Sequence, residues 1–177
     1  MEENSDVTKK SVVLKWGAIS GLIGIIVFVI QDFAGLAGDQ TYGWVMMVIG
    51  IAIGVTLLIM AHKEFINGGD GFMSYGEGLG IGTLMSVVSS VISSIFTYIY
   101  VSFINPTYID NIKEIQMMEM EKQGLTDAQI EQGMEMAGMF TSPIGMAIMG
   151  ILGGVFMGFI MSLIVSAFTK KSRPEFE

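Results

Sequence analysis

The sequence of 177 residues contains no cysteine and only one histidine, His62. The lack of cysteine excludes disulfides, thiolate metal sites and cysteine nucleophiles. A single histidine excludes zinc sites built on a His-x-x-x-His helix, and we predict no histidine-based catalytic triad. The glycine-rich stretch at 67–71 matches neither the phosphate-loop pattern nor the dinucleotide fingerprint. We therefore expect no enzyme activity and no cofactor.

Charge is also scarce, at 15% of residues against 51% hydrophobic. Four stretches are almost free of it, at about 12–31, 42–61, 78–104 and 143–169. A helix rises about 1.5 Å per residue, so each stretch can cross a hydrocarbon layer about 30 Å thick. A soluble helical core is the alternative, but uncharged runs of this length are abnormal there. The sequence predicts one all-α domain over 1–177, an integral membrane four-helix bundle.

The predicted spans contain no carboxylate, histidine or arginine, which coupled transporters and proton pumps usually place inside the bilayer. His62 is assigned to a loop over 62–77. In this loop Phe72, Met73 and Tyr75 are expected to rest on the membrane surface. This distribution argues against a proton-driven mechanism.

Basic residues predict the orientation of the chain, because loops rich in lysine and arginine stay on the cytoplasmic side. Seven of the nine flank the predicted spans on one side: Lys9, Lys10, Lys15, Lys63, Lys170, Lys171 and Arg173. We therefore predict an inner-membrane protein with cytoplasmic tails at 1–11 and 170–177 and both termini cytoplasmic. The outward segments, 32–41 and 105–142, carry nearly all of the net charge of −8, and we expect no nucleic-acid partner.

The first span has a second interpretation. A basic start, an apolar core over 16–30 and the sequence Gly35-Leu36-Ala37 are typical of a signal peptide with a small-x-small cleavage site. Cleavage would leave the orientation of the other three spans unchanged.

Small residues recur every four positions in the last two spans. Because helices in lipid associate by close packing rather than by exclusion of water, such rows predict the contact surfaces. Shorter rows occur at Gly17/Gly21 and Gly50/Gly54. The predicted packing residues are Gly78, Gly82, Ser86, Ser90 and Ser94 in the third span and Gly150, Gly154, Gly158, Ser162 and Ser166 in the fourth.

Hydroxyl groups gather on one face of the third span, within an arc of about 140°. They belong to Ser86, Ser89, Ser90, Ser93, Ser94 and Thr97. Interhelical hydrogen bonding and bonding to carbonyls one turn earlier are the favoured interpretation. The alternative is the wall of a polar pathway shared between protomers.

The segment 105–142 predicts a helical hairpin on the extracytoplasmic side. Asn105 and Pro106 suit the start of one helix and Gly124 its exit. Thr126 and Gln129 form a capping box for a second helix. Ser142-Pro143 then begins the fourth span.

The same segment is rich in methionine, whose thioether is a soft ligand that selects Cu(I). A copper site is therefore one hypothesis; the other is that methionine acts as flexible apolar filler, since the chain contains sixteen. The copper candidates are Met117, Met118, Met120, Met134, Met136 and Met139.

Several short motifs resemble an inner-membrane family of Bacteroidota with four spans, described as a domain of unknown function. They are Lys15-Trp16-Gly17, Ser20-Gly21, Asn67-Gly68-Gly69, the run from Phe72 to Gly76, Phe103-Ile104-Asn105-Pro106 and Ser142-Pro143. The resemblance covers nearly the whole chain and implies the four-span fold. It implies no activity, cofactor or binding residue.

Together these features favour a small structural or interaction subunit of a membrane. Its expected partners are the lipid bilayer and either a second copy of the chain or an unidentified membrane protein. The alternative function is an oligomeric passive pathway for a small solute or ion, lined by the hydroxyl face of the third span.

Overall fold

The computed structural model describes residues 7–36 and 40–173, and these form six α-helices. The described part contains no β-strand, so the prediction of an all-α fold is confirmed. Ala37 of the suggested cleavage site and the outermost residues of both tails lie outside the described residues. The helices are α1 (Lys9–Phe33), α2 (Gln40–Gly68), α3 (Tyr75–Ile99), α4 (Tyr108–Lys122), α5 (Asp127–Thr141) and α6 (Pro143–Thr169), and a π-helical turn, Tyr100–Ile104, extends α3.

Four of these helices are long and apolar enough to cross a membrane: α1, α2, α3 with its π turn, and α6. The protein is therefore a multi-pass membrane protein in contact with the lipid bilayer. The second span is longer than expected. Helix α2 continues about two turns beyond residue 61 and ends at Gly68, so His62 lies in the helix and not in a loop.

Helix α3 is the centre of the bundle. It packs along α6 on one side and along α1 on the other, while α2 touches α1 and α6 more lightly. The second half of α2 supplies the buried residues Leu57, Leu58 and Ala61. Its first half, over 43–51, is exposed almost all round, with Trp44 at 61% and Val48 at 63%.

The bundle has two ends of different character. At the terminal end, where α1 begins and α6 finishes, Val12, Ala61, Met73 and Ile81 are fully buried in one core. Met73 was expected on the membrane surface; that expectation is wrong, because its side chain turns inward against Gly78. A second cluster, Tyr100, Val101 and Tyr108, lies at the hairpin end, where α4 and α5 follow α3.

Helices α4 and α5 form the predicted hairpin. Gly124 leaves α4 with φ +76°, a conformation that glycine adopts without strain, and the Thr126–Gln129 capping box begins α5. Asn105 does not cap α4. The chain first completes the π turn, whose last hydrogen bond runs from Asn105 N to Tyr100 O at 2.8 Å, and α4 begins only at Tyr108.

Candidate functional site: a hydroxyl-lined cavity between the helices

Glycines on one helix meet serines on the other along the whole contact between α3 and α6. A Cβ atom built on Gly154 would lie 2.8 Å from the Cβ of Ser90, which is too close for any side chain. The antiparallel helices therefore place all ten predicted packing residues opposite one another as glycine–serine pairs. The pairs are Gly78–Ser166, Gly82–Ser162, Ser86–Gly158, Ser90–Gly154 and Ser94–Gly150.

The contact between α3 and α1 uses the shorter row. A Cβ on Gly17 would lie 2.7 Å from Val88, and one on Gly21 would lie 3.1 Å from Ile92. Gly54 of α2 faces Met161 of α6, whereas no atom of another described element lies within 4 Å of the Cβ position of Gly50. The Gly50/Gly54 row therefore mediates only one close contact, because the first half of α2 lies away from the bundle.

Most hydroxyls of the α3 face make hydrogen bonds within the protein. Ser86 Oγ donates to the Thr83 carbonyl at 2.7 Å, one turn earlier in the same helix. Toward α1, Ser89 Oγ donates to Ser20 Oγ at 3.2 Å and Ser93 Oγ donates to Gly21 O at 3.2 Å. The favoured interpretation, hydrogen bonding between helices and to carbonyls one turn earlier, therefore describes these bonds. They connect α3 to α1 and to its own backbone.

The same face also lines a cavity of about 380 Å³ in the middle of the bundle. All four spans contribute to its walls, and none of the lining residues within the described part of the chain is ionisable. The lining residues are Ser20 and Phe28 of α1; Gly54 and Leu58 of α2; Gly82, Met85, Ser86, Ser89, Ser90, Ser93, Ser94 and Thr97 of α3; and Met146, Gly150, Gly154, Gly158 and Met161 of α6.

The cavity is closed toward the terminal end by a layer of buried side chains. His62 is fully buried in this layer, with Nε2 3.1 Å from the Gly78 carbonyl oxygen and Nδ1 2.7 Å from Thr169 Oγ1. Ser162 Oγ donates to Leu79 O at 3.0 Å. Because His62 bridges α2, α3 and α6, this layer joins three helices at the terminal end.

A polar cluster lies at the hairpin end of the bundle. Asp32 Oδ2 accepts hydrogen bonds from Tyr100 Oη at 2.5 Å and from Asn105 Nδ2 at 2.8 Å. Nearby, the Phe28 ring packs against Tyr108 with 5.4 Å between centroids, and burial raises the pKa of Tyr108. These bonds fix the last turn of α1 to the π turn after α3.

The cluster was missed in the sequence, because Asp32 stands beyond the apolar run and its partners lie about 70 residues away. In the sequence, only the Asn105-Pro106 interruption of the apolar run indicates the position of this cluster. The Ser74–Glu77 capping box at the start of α3 was also missed, although its Ser-x-x-Glu spacing is the usual signal.

The copper candidates occupy both helices of the hairpin. Met120 lies in the contact between α4 and α5, with Cε 3.1 Å from the Cβ position of Gly133. Four of the others are exposed: Met117, Met118, Met136 and Met139. Met134 is half-buried. The Cu(I) site stays a prediction.

Four apolar spans around an uncharged cavity define a multi-pass helical membrane protein. Residues 15–171 match the family described as "Protein of unknown function (DUF4199)", and the chain belongs to that family. This confirms the resemblance, whereas the assignment to Bacteroidota stays a prediction. No curated protein and no solved structure matches the chain.

Proposed function

We propose that the protein is a small structural or interaction subunit of the inner membrane and not an enzyme. The observation that carries this proposal is the isolation of one helix segment. Over 43–51, α2 is exposed almost all round, although the rest of the span is packed. Gly43 and Gly50 in this segment have no atom of the described residues beyond their chain neighbours within 4 Å of their Cβ positions. Glycines of this kind allow another helix to approach closely, which favours a second copy or a membrane partner.

The orientation proposed for this subunit has both termini in the cytoplasm. Lys15 and Glu64 form a salt bridge of 2.7 Å between α1 and α2 at the terminal end, and Lys171 pairs its backbone with Met73 there. The hairpin end carries the acidic helices α4 and α5. This separation of charge fits the tendency of lysine and arginine to remain on the cytoplasmic side.

The absence of catalysis is supported by the chemistry of the cavity. A hydrolytic or transfer site needs a nucleophile beside a base, or an acid and a base within reach of the substrate. The described lining offers serine hydroxyls but no base, and the ring of His62 is enclosed by Gly78 and Thr169.

Cross-linking through α2 tests the proposal directly, because the chain has no native cysteine. A Val48→Cys variant in native membranes, treated with a short thiol cross-linker, is expected to give a dimer or a specific adduct. Leu22→Cys on α1 is the matched control, since Leu22 is exposed to a similar degree, 56% against 63%, on a packed helix. Equal cross-linking at the two positions, or none at Val48, would contradict the proposal. Copurification from the same membranes distinguishes a second copy from another protein.

The cavity itself favours a second candidate, a passive pathway for a small solute or ion formed by an oligomer. In one protomer the buried layer around His62 lies at the terminal end of the cavity, so the pathway proposed here runs between copies. Flux of glycerol or sodium into vesicles containing the protein separates the two functions. A structural subunit gives the leak of empty vesicles, whereas a pathway gives flux proportional to the protein content.

A further inference from the structure

Two hydroxyls in the cavity make no hydrogen bond to the described part of the chain. Ser94 is only 5% exposed, and Thr97 follows it by three positions, so both hydroxyls line the same side of α3. The Ser94 Oγ lies 2.8 Å from the Cβ position of Gly150, directly against α6 at the wall of the cavity. Ser94 is buried and Thr97 is half-buried, and an unpartnered hydroxyl shielded from water gains free energy by bonding a molecule inside the cavity.

We propose that the cavity binds one uncharged amphiphile whose hydroxyl or carbonyl group bonds to Ser94 and Thr97 and whose apolar part lies along the remaining walls. The other hydroxyls are less suited to this role. Ser86 and Ser90 donate to backbone carbonyls of their own helix, at 2.7 and 3.2 Å, and Ser93 donates to Gly21 O. The polar group of the ligand therefore binds in the half of the cavity nearer to the hairpin.

The cavity walls select against charge. None of the described lining residues is ionisable, and an ion transferred into such surroundings loses its hydration without gaining a charged partner. The carboxylate of Asp32, at the hairpin end, already accepts from Tyr100 and Asn105. Phe28, Met85 and Met146 supply apolar surface for the remainder of the ligand. A volume of about 380 Å³ suits one short alkyl chain with a polar head.

The ligand has two potential sources, the bilayer and the aqueous phase at the hairpin end. The layer around His62 closes the terminal end. On the opposite half, Gly50 of α2 has open space in front of it, and Gly150 of α6 is exposed. A neutral lipid with an uncharged head and a small water-soluble alcohol share the required chemistry, so the probes include one of each.

Photolabelling of the full-length protein in nanodiscs with a diazirine derivative of 1-decanol tests the proposal. We expect adducts on Phe28 and Met146, and a decrease of at least fivefold in the presence of excess 1-decanol. Protection by 1-decanol alone indicates a bilayer source, and protection by the water-soluble 1-butanol at equal concentration indicates an aqueous one; both support an uncharged amphiphile. Equal protection by decanoate or decyltrimethylammonium, or adducts spread equally over the exposed Leu152, would overturn the proposal.

Substitutions of the two hydroxyls test where the polar group binds. Ser94→Ala and Thr97→Val keep the size of each side chain nearly constant, and each is expected to weaken competition by 1-decanol about fivefold, the factor given by one hydrogen bond. Ser86→Ala is the matched control, because that hydroxyl already bonds the Thr83 carbonyl. Equal effects of Ser86→Ala and Ser94→Ala would refute the assignment.

Competition on the unsubstituted protein remains decisive if a variant fails to fold. This inference does not rest on the proposed function. Cross-linking at Val48 involves none of these hydroxyls. The proposed function and this inference can therefore each fail without the other.

Discussion

At the scale of single residues, the bundle depends on positions where a hydrogen atom is the only side chain that fits. Gly153 and Gly154 are neighbours in α6, yet a Cβ on Gly154 meets Ser90 at 2.8 Å and one on Gly153 meets nothing within 4 Å. Substitutions at these two positions therefore distinguish the loss of close helix packing from the general helix-weakening effect of glycine.

We expect Gly154→Leu to lower the free energy of unfolding in detergent by about 1–3 kcal/mol, the usual cost of overpacking. Gly153→Leu adds the same side chain on the lipid-facing side and is expected to leave stability nearly unchanged or to raise it slightly. Thermal or denaturant unfolding of the two variants in the same micelle provides the measurement. If both behave like the parent protein, α6 does not pack on α3 through this row.

Asp32 gives a second prediction at this scale. Its carboxylate accepts two hydrogen bonds, and bonds to a charged group are each worth about 1.5–3 kcal/mol. Asp32→Ala is expected to destabilise the bundle and to increase hydrogen exchange in the last turn of α1 and in the π turn. Asp110→Ala, on the exposed surface of α4, is the control. It should leave the stability of the bundle and the hydrogen exchange of these two turns unchanged. The same exchange pattern in both variants would exclude a structural role for the cluster.

At the scale of helices, the sequence predicted what depends on neighbours in the chain. Apolar length located the four spans, and Gly124, Thr126 and Ser142 marked helix ends through hydrogen bonds a few residues away. The end of α2 was missed, because His62, Lys63 and Glu64 have the polarity of a loop. Their helical state depends on distant partners: His62 bonds Gly78 and Thr169, and Glu64 bonds Lys15 and Trp16.

The cavity was only partly predictable for the same reason. The arc of hydroxyls on α3 is a property of one helix and could be counted from the sequence. The space in front of it exists because the first half of α2 lies away from α6, and no local pattern indicates where α2 leaves the bundle. Nor does spacing distinguish Ser94, which has no described partner, from Ser86, which bonds Thr83.

His62 provides the prediction at the scale of helices, because it connects α2 to both α3 and α6. His62→Leu introduces an apolar side chain of similar size and removes both hydrogen bonds, and we expect a loss of about 1–3 kcal/mol in unfolding free energy. Lys63→Ala, at the exposed neighbouring position, is the control. Equal stability of His62→Leu and the parent protein would show that apolar packing alone holds α2 in place.

At the scale of the whole molecule, four membrane crossings require the start of α1 and the end of α6 to share one face and the hairpin to lie on the other. The lack of native cysteine allows this arrangement to be tested with single introduced thiols. Ser172 follows α6 and Ala128 lies in α5, and both are exposed, so cysteine at either position causes little disturbance.

Labelling of Ala128→Cys and Ser172→Cys in intact spheroplasts with a membrane-impermeant maleimide is the most direct measurement. We expect the thiol at 128 to react at once and the thiol at 172 to react only after the membrane is permeabilised. Reaction of both thiols from the same side, in intact spheroplasts or only after permeabilisation, would contradict four crossings.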